Sequence, residues 1–423
     1  MCGAYADPDG GTPLAVPTRA VVIADSLAGD EADLVAALGL GARLALVSDA
    51  NTHRVLGARV ARSLAAVAEV SEIRLPDHPR ADQAAVGEIR DASVLSDALI
   101  AVGSGTINDL CKYVAALDGK PYAVFATAPS MNGYTSVNAA ITVDGHKKSL
   151  PATAAAGVFL DLEVLAGAPP RMIRSGLGDS LCRPTAQADW LLSHLLLDTP
   201  YRRAPFALLA GDEDALLAES DALMRGDAAA MRRLARTLVL SGFGMAICGG
   251  SHPASEGEHL ISHYVEMMTP SSWPESFHGE QIGVATLTMA RLQERLLAAG
   301  PPRLNASVAD ETSLTAHFGD GLGAACWREF ANKRLDAARA ETLNARIEAG
   351  WDDMCARLSA VTRSASEIEA ALTRAGAPTA PEALGWPRVF YRDAVRHARE
   401  IRDRYTFLDL AADGGLLDGD GLV

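Results

Sequence analysis

Short β-rich runs alternate with amphipathic helical segments in the first third of the chain, and this order constrains the fold more than any other feature. The runs predict strands at residues 20–24, 43–47, 99–102, 122–126 and 158–160. An amphipathic helix is predicted at residues 55–69, between the second and third strands. Such a βαβαβ order is typical of a parallel sheet covered by helices.

The strand pattern ends near Val164, and the two prolines Pro169 and Pro170 mark the change. Successive helices are predicted beyond this point, including residues 213–241, 325–349 and 351–375. A chain of 423 residues exceeds the usual size of one domain. We therefore predict an α/β Rossmann-like domain at 1–163 that binds a dinucleotide, and an all-α domain at 164–423 that binds metal and substrate.

Charge and composition exclude several classes of partner. The formal net charge of -15 argues against a nucleic-acid partner, because no phosphate-neutralising surface is evident. No apolar run approaches the length that spans a bilayer, and the N-terminus lacks the pattern of a signal peptide. The six cysteines are dispersed, as expected of reduced core residues. We expect a cytoplasmic protein without membrane insertion.

A glycine loop, AVGSGTINDL at 101–110, follows the third predicted strand and precedes a helix. Glycines permit close approach of a phosphate, and a helix N-terminus offers free N–H groups to it. A plain strand-to-helix turn is an equal alternative, because the third glycine of the dinucleotide fingerprint is absent. SDANT and TAPS follow neighbouring strands and favour a dinucleotide. Asp49 is placed to bind the adenosine ribose of NAD, although by itself it is typical of a helix N-cap.

The segment EGEHLISH contains His259 and His263, which one helical turn would place on the same face. Two such histidines can both bind a metal, or they can have separate roles. The alternative is a pair of surface or core histidines without a role in a site. The HEXXH motif is absent, which excludes the zinc-protease interpretation. Asp179 and His278 are further candidate ligands. One carboxylate with two imidazoles suits a divalent first-row ion.

Seven segments together resemble the glycerol-1-phosphate dehydrogenase family, which lies within the iron-type alcohol dehydrogenase, glycerol dehydrogenase and dehydroquinate synthase superfamily. They are GSGTINDLCKY, PYAVFATAPSMNGYTSVNAAI, KKSLPA, APPRMIRSGLGDSL, QADWLLSH, PASEGEHLISH and HGEQIGVATL. The resemblance covers about residues 20–300, and the remaining tail matches only in its helical character. It implies a dehydroquinate synthase-like fold with the active site in the cleft between the two domains.

The resemblance also implies roles for individual residues. It assigns the metal, usually zinc or nickel and with iron as a third option, to Asp179, His259 and His278. It assigns His263, Asp179 and Asn132 to catalysis and substrate binding. The implied reaction is the reversible reduction of dihydroxyacetone phosphate to sn-glycerol 1-phosphate with NADH or NADPH. The residues that it assigns to the dinucleotide are Asp49, Gly105, Thr106, Ile107, Asn108, Asp109, Thr127, Ala128, Pro129, Ser130 and Ser136.

The substrate phosphate requires cationic donors, for which Lys147, Lys148 and Arg183 are candidates, although each is also compatible with solvated surface. Asn132 departs from the family pattern, which has aspartate there. Asparagine removes a negative charge and cannot accept a proton. A working dehydrogenase with retuned affinity is one interpretation, and a site adapted to another phosphorylated or phosphonylated hydroxyketone is the other.

Two different functions stay open at this point. One is a dehydroquinate synthase-like lyase or cyclase that uses NAD transiently, and the other is a non-catalytic binding protein on the same scaffold. The family resemblance further implies a homo-oligomer and a small phosphorylated substrate.

Overall fold

The computed structural model describes residues 5–143, 146–270, 272–417 and 422. The chain forms two compact units that alternate along the sequence. The first unit contains Met1–Ser180 and Arg203–Ser251, and the second contains Leu181–Arg202 and His252–Val423. The chain therefore enters the second unit once, returns to the first, and then completes the second.

The first unit is built on a six-stranded parallel sheet with the order β1-β8-β5-β4-β2-β3. A separate antiparallel hairpin pairs β6 with β7. The strands are β1 Ala20–Ala24, β2 Arg43–Asp49, β3 Glu69–Leu75, β4 Ala98–Gly103, β5 Tyr122–Ala126, β6 Asn138–Val143, β7 His146–Pro151 and β8 Gly157–Asp161.

Helices occupy most of the remaining described chain. In chain order they are α1 Glu31–Ala36, α2 Ala50–Thr52, α3 Ala58–Leu64, α4 Gln83–Ala92, α5 Gly105–Asp118, α6 Leu162–Ala166, α7 Pro170–Leu181, α8 Arg183–Leu197, α9 Ala204–Ala207, α10 Glu213–Ala218, α11 Ser220–Met224, α12 Ala228–Cys248, α13 Gly257–Met268, α14 His278–Ala298, α15 Glu311–Phe318, α16 Asp320–Lys333, α17 Ala337–Ser359, α18 Ala365–Arg374, α19 Arg388–His397 and α20 Phe407–Asp413. Short turns add a π-type segment at His53–Gly57 and 3₁₀ segments at Gly133–Thr135, His252–Ala254, Pro381–Leu384 and Ala398–Ile401.

The central strands β4, β5 and β8 are buried along their whole length. Parallel strands that are covered on both faces have near-continuous apolar sequences, as LIAV in β4 and YAVFA in β5 do. Leu46, Ile100 and Phe125 contribute to one apolar cluster of this unit. The sheet is thus a rigid support for the residues that follow its strands.

The second unit is all-helical in its described part and has its own apolar core. Leu260 and Tyr264 of α13 pack in this core with Leu292 of α14, Trp351 of α17 and Phe407 of α20. Among the described residues, no helix has both the length and the apolar character that crossing a membrane requires.

The predicted fold class, an α/β part with a parallel sheet followed by a helical part, is confirmed. The five predicted strands are present, but β3 and the β6–β7 hairpin were not predicted. β3 reads EVSEIRL and pairs only with β2 at the sheet edge, so it lacks the apolar run of a central strand. The predicted domain boundaries at 163 and 164 follow the change from strands to helices and stay a prediction.

Some predicted helices were wrong in extent. Residues 213–241 form α10, α11 and the start of α12 instead of one helix. The chain breaks at Gly226, which adopts a φ of +73°, and Asp227 then caps α12 through the N–H of Ala230. A left-handed glycine followed by a capping aspartate ends one helix and begins another.

α7 packs closely against the segment that follows β5, and the closest approach is at Gly176. A Cβ atom at Gly176 would lie 1.6 Å from the carbonyl oxygen of Pro129, a backbone atom that cannot move aside. We predict that Gly176→Ala lowers the free energy of unfolding by about 3 kcal/mol or more. Urea denaturation measures this change.

Gly87→Ala is the matched control, because a Cβ atom there meets nothing within 4 Å and Gly87 lies inside helix α4. We expect it to leave stability unchanged or to raise it by about 0.5–1 kcal/mol. Equal effects of the two substitutions would show that α7 does not make the close approach.

Candidate functional site

The glycine loop connects β4 to α5 in the first unit. A Cβ atom at Gly103 would lie 2.5 Å from the Cβ of Ile107, so only glycine fits this turn. The N–H of Thr127, directly after β5, donates to the carbonyl of Gly103 over 3.1 Å. The loop and the TAPS segment therefore lie side by side at the start of α5. Binding of a phosphate by the first-turn N–H groups of α5 stays a prediction.

Asp49 ends β2, the strand next to β4, and it caps the following helix. Its Oδ1 accepts hydrogen bonds from the N–H groups of Asn51 and Thr52 over 2.8 and 2.9 Å. The N-cap interpretation is thus present in the structure, and the cap uses only Oδ1. Binding of a ribose by Asp49 stays a prediction.

Lys112 of α5 is fully buried and holds the segment between β5 and β6. Its Nζ donates to the carbonyls of Gly133 and Asn138 over 2.6 and 3.0 Å, and to Ser136 Oγ over 3.0 Å. Burial lowers the pKa of Lys112, against the nearby charge of Asp109. A buried ammonium group with these acceptors fixes the loop geometry.

Asp109 and Ser136, both predicted to bind the dinucleotide, belong to this bonded group. Asp109 Oδ2 accepts from the N–H of Ala140 over 3.0 Å, and its Oδ1 lies 3.4 Å from Lys112 Nζ. Ser136 Oγ contacts the carbonyl of Gly133 as well as Lys112. These contacts show that both residues shape the loop, and their contact with a dinucleotide stays a prediction.

Asn132 and Asp179 lie together in the first unit, and both are buried. The backbone N–H of Asn132 donates to Asp179 Oδ2 over 2.8 Å. The side-chain Nδ2 of Asn132 is buried and has no hydrogen-bond partner among the described residues. Buried donors are normally satisfied, so this amide group is available to a ligand acceptor.

Three histidines cluster in the second unit, where α13 packs against α14. The ring centroid of His259 lies 5.1 Å from that of His278 and 6.0 Å from that of His263. His263 and His278 complete the triangle at 6.3 Å. His259 is buried, whereas the other two are half-buried. The structure thus brings together three imidazoles that the sequence separates by up to 19 positions.

Glu258 orients His259. Its Oε1 lies 2.9 Å from His259 Nδ1 and also accepts from the N–H of Glu256, while Oε2 accepts from Thr185 Oγ1 over 3.2 Å. Burial raises the pKa of Glu258, but the hydrogen bond and charge of His259 outweigh this and lower the pKa overall. A carboxylate on Nδ1 leaves Nε2 of His259 as the lone-pair donor.

His263 has a different environment. Burial, followed by the charge of Arg402, lowers the pKa of His263 well below its usual value. The ring is therefore neutral at pH 7 and offers one donor and one acceptor nitrogen. His278 Nδ1 lies 3.8 Å from Glu266 Oε1, which makes that carboxylate a nearby counter-charge.

Apart from the three-histidine cluster, a group of potential metal ligands is formed by Cys182, Glu258 and His259, whose donor atoms lie within 4.8 Å of one another. Both oxygens of Glu258 already accept hydrogen bonds, from Glu256, His259 and Thr185. Cys182 Sγ also lies 3.7 Å from the carbonyl of Ala254. A metal on this group would break those bonds, so Glu258 acts as the orienting carboxylate.

Comparison with known proteins is consistent with this chemistry. The iron-containing alcohol dehydrogenase family matches residues 22–169. The glycerol-1-phosphate dehydrogenase (NAD(P)+) of Bacillus velezensis is 30% identical over 387 residues, which cover 88% of this chain and 86% of that protein. The chain belongs to the glycerol-1-phosphate dehydrogenase family. The enzyme of the same name from Bacillus licheniformis is 28% identical, with 89% of this chain and 84% of that protein covered.

Solved structures support the fold of this glycerol-1-phosphate dehydrogenase family member. A probable glycerol dehydrogenase from Sinorhizobium meliloti 1021 superposes with a TM-score of 0.61, and 95% of each chain is covered. Because the two sequences are only 17% identical, this likeness concerns the fold alone.

The candidate phosphate-binding residues of this family member have unlike surroundings. Lys148 is exposed on β7, and the side chain of Lys147 lies outside the described part. Arg183 begins α8, where its Nη1 donates to Gln187 Oε1 over 2.9 Å. Their role toward a phosphate stays a prediction.

Lys112, Glu258 and Arg402 were not predicted from the sequence. For Lys112 a signal exists, because Asp109 and Lys112 are spaced i,i+3 on one helix. For Glu258 the signal is its place beside His259 in EGEHLISH. For Arg402 no local signal exists, since it lies outside the segments that resemble the family.

Lys112→Met tests the buried support of the glycine-loop region. The substitution removes the donor of three hydrogen bonds and leaves Asp109 without its cation. We predict a loss of about 3 kcal/mol in the free energy of unfolding, because breaking a buried charge pair is costly. Guanidinium denaturation measures it.

Lys120→Met serves as the control, since Lys120 is only partly buried and donates to the carbonyl of Ser93. Its loss should be about 1 kcal/mol. An equally small effect of Lys112→Met would contradict the conclusion that Lys112 stabilises the segment between β5 and β6.

Proposed function

We propose that the chain is a metal-dependent, NAD(P)-linked dehydrogenase that interconverts dihydroxyacetone phosphate and sn-glycerol 1-phosphate. The observation that carries this proposal is the three-histidine cluster in which Glu258 fixes the ring of His259. Membership of the glycerol-1-phosphate dehydrogenase family supports the reaction class. The named relatives are dehydrogenases and do not favour a lyase, a cyclase or a non-catalytic protein.

We assign the metal to Asp179, His259 and His278. The donor set fits a divalent first-row ion, because Nε2 of His259 remains available once Glu258 holds Nδ1. Two imidazoles and one carboxylate suit zinc or nickel, and iron is the third option. His263 is left outside this set.

We assign the dinucleotide to the loops that follow β2, β4 and β5. These three strands include two adjacent pairs, β2 with β4 and β4 with β5, so their carboxyl ends meet at one sheet edge. In open parallel sheets, ligands bind at that edge. The narrow turn at Gly103 and the first-turn N–H groups of α5 are suited to a pyrophosphate.

A divalent cation held by Asp179, His259 and His278 would polarise the substrate carbonyl, and a reduced nicotinamide would supply the hydride. We assign to His263 the donation of a proton to the substrate's carbonyl oxygen, which becomes the hydroxyl. The neutral ring of His263 can donate at one nitrogen while it accepts a proton at the other. The ring is half-buried, which allows exchange of protons with solvent. Asn132 donates its buried amide to a substrate oxygen.

The remaining parts of the proposal concern partners and location. The substrate is a small phosphorylated hydroxyketone or polyol, and the protein works as a cytoplasmic homo-oligomer. Family membership and the absence of a membrane-spanning helix among the described residues are compatible with these assignments.

An assay of NADH oxidation tests the reaction. The native protein with metal should oxidise NADH in step with formation of sn-glycerol 1-phosphate from dihydroxyacetone phosphate. Product formation without net loss of NADH would contradict the dehydrogenase and support a lyase or cyclase.

Asn132→Asp extends this assay. If the native pocket is adapted to a different hydroxyketone, the aspartate variant should reduce dihydroxyacetone phosphate about tenfold faster, since it restores the negative charge of the family pattern. Full activity of the native protein, with no improvement in the variant, would mean that Asn132 only alters the affinity for dihydroxyacetone phosphate.

The two histidines of α13 should respond differently to substitution. His259→Ala removes a metal ligand, so the purified protein should lose most of its metal by elemental analysis. His263→Ala should retain the metal and lose about 10²–10⁴-fold in kcat, the range of general acid–base catalysis. Equal metal loss in both variants would show that the pair acts as a two-histidine metal site.

A further inference from the structure

The two residues that precede α13, Ser255 and Glu256, are buried in the second unit. The peptide group that joins them is hydrogen-bonded at both of its polar ends. Its carbonyl oxygen, on Ser255, accepts from Arg404 Nη1, and its N–H, on Glu256, donates to Glu258 Oε1 over 2.9 Å. Because a peptide group is planar and rigid, a partner that fixes the carbonyl also fixes the direction of the N–H.

Arg404 is itself held in place within the second unit. Its side chain is only 12% exposed, and its Nη1 lies 3.7 Å from Oε1 of Glu256, whose side chain is 2% exposed. Its backbone carbonyl accepts from the buried Lys333 Nζ, which lies 3.0 Å from Asp409 Oδ1. An ion pair with so little exposure is screened by salt much less than a surface pair. The guanidinium is thus a fixed donor to the carbonyl of Ser255.

The carboxylate of Glu256 has a second partner at the same oxygen. Nδ1 of His252 lies 2.8 Å from Glu256 Oε1. The ring of His252 stacks on that of Trp190 in α8, with 5.6 Å between the two centroids. A carboxylate oxygen has room for two donors, so the contact with His252 adds to that with Arg404. Both contacts restrain the residue whose N–H bonds to Glu258.

Glu258 connects this restraint to the candidate metal site. The oxygen that accepts from the N–H of Glu256, Oε1, is also the one that lies 2.9 Å from Nδ1 of His259. Four groups are therefore linked in sequence: the guanidinium of Arg404, the peptide group between Ser255 and Glu256, the carboxylate of Glu258 and the imidazole of His259. Hydrogen bonds in such a chain polarise one another, and the partners behind a metal ligand set its orientation.

We propose that Arg404 is a positioning residue for the metal site and acts on His259 through the Ser255–Glu256 peptide group and Glu258. The inference rests on the proposed function for the assignment of the metal to His259. Arg404 keeps Oε1 of Glu258 on Nδ1 of His259, so that Nε2 stays available to the metal. Its loss should therefore weaken metal binding although every ligand is still present.

The zinc affinity of three variants, measured by competition with a chromophoric chelator, tests this role. Arg404→Met should bind zinc about tenfold or more weakly than the native protein, as expected when the partner of a metal ligand is disturbed. Arg404→Lys retains a cationic donor and should recover part of the affinity. Arg346→Met is the matched control, because Arg346 also donates to one carbonyl, of Leu196 over 2.8 Å, and pairs with one carboxylate, of Asp198 over 2.7 Å. It should bind zinc as the native protein does.

A double variant and a spectrum separate positioning from stability. Arg404→Met leaves the buried carboxylate of Glu256 without its cation, which lowers the melting temperature. Arg404→Met combined with Glu256→Gln removes both charges, and it should still lose about tenfold in zinc affinity because the Ser255 carbonyl lacks its donor. The visible absorption of bound Co²⁺ depends on ligand geometry, so it should change in both of these variants and stay native in Arg346→Met.

Native zinc affinity and a native cobalt spectrum in Arg404→Met would overturn the inference, as would equal losses of zinc affinity in Arg404→Met and Arg346→Met. If zinc affinity depends on Arg404 but the native protein does not reduce dihydroxyacetone phosphate, the proposed function fails and the inference stands. If the native protein reduces dihydroxyacetone phosphate and Arg404→Met binds zinc equally well, the inference alone fails.

Discussion

The hydrogen bond between Glu258 and His259 is the interaction on which the candidate site depends. It joins a fully buried carboxylate to Nδ1 of a buried imidazole over 2.9 Å. Such a bond fixes both the tautomer and the orientation of the ring, and so decides which nitrogen can bind a metal. Without it, the tautomer of His259 would not be fixed, and neither of its ring nitrogens would be reserved for a metal.

The second unit is organised to support this buried charge. Asp189 of α8 accepts from the N–H groups of Gly257 and Phe407, and thereby holds the start of α13 to α20. Burial, and then the charge of Glu258, raise the pKa of Asp189 well above its usual value. The pKa values of these two neighbouring carboxyl groups are thus shifted in opposite directions, which favours on Glu258 the negative charge that His259 requires.

The sequence predicted those features that local pattern determines. Central strands such as β4 and β5 are apolar throughout, and His259 and His263 are one helical turn apart, so both could be expected in advance. The edge strand β3 was missed because it reads EVSEIRL and lacks an apolar run, and the β6–β7 hairpin was missed because β7, HKKSLP, is polar over most of its length. The effect of the Arg402 charge on the pKa of His263 could not be predicted, since Arg402 lies 139 positions after His263. Family resemblance, more than spacing, separated the role of His263 from that of His259.

X-ray absorption spectroscopy of the metal-loaded protein tests most directly whether Glu258 orients His259 or instead binds the metal with Cys182. Our account predicts nitrogen and oxygen ligands only, with imidazole nitrogens at about 2.0–2.1 Å from a zinc ion. Substitution of Cys182 by serine should leave that spectrum unchanged. A sulfur ligand at about 2.3 Å would place the metal on Cys182, and would contradict the assignment of Glu258 as the orienting carboxylate.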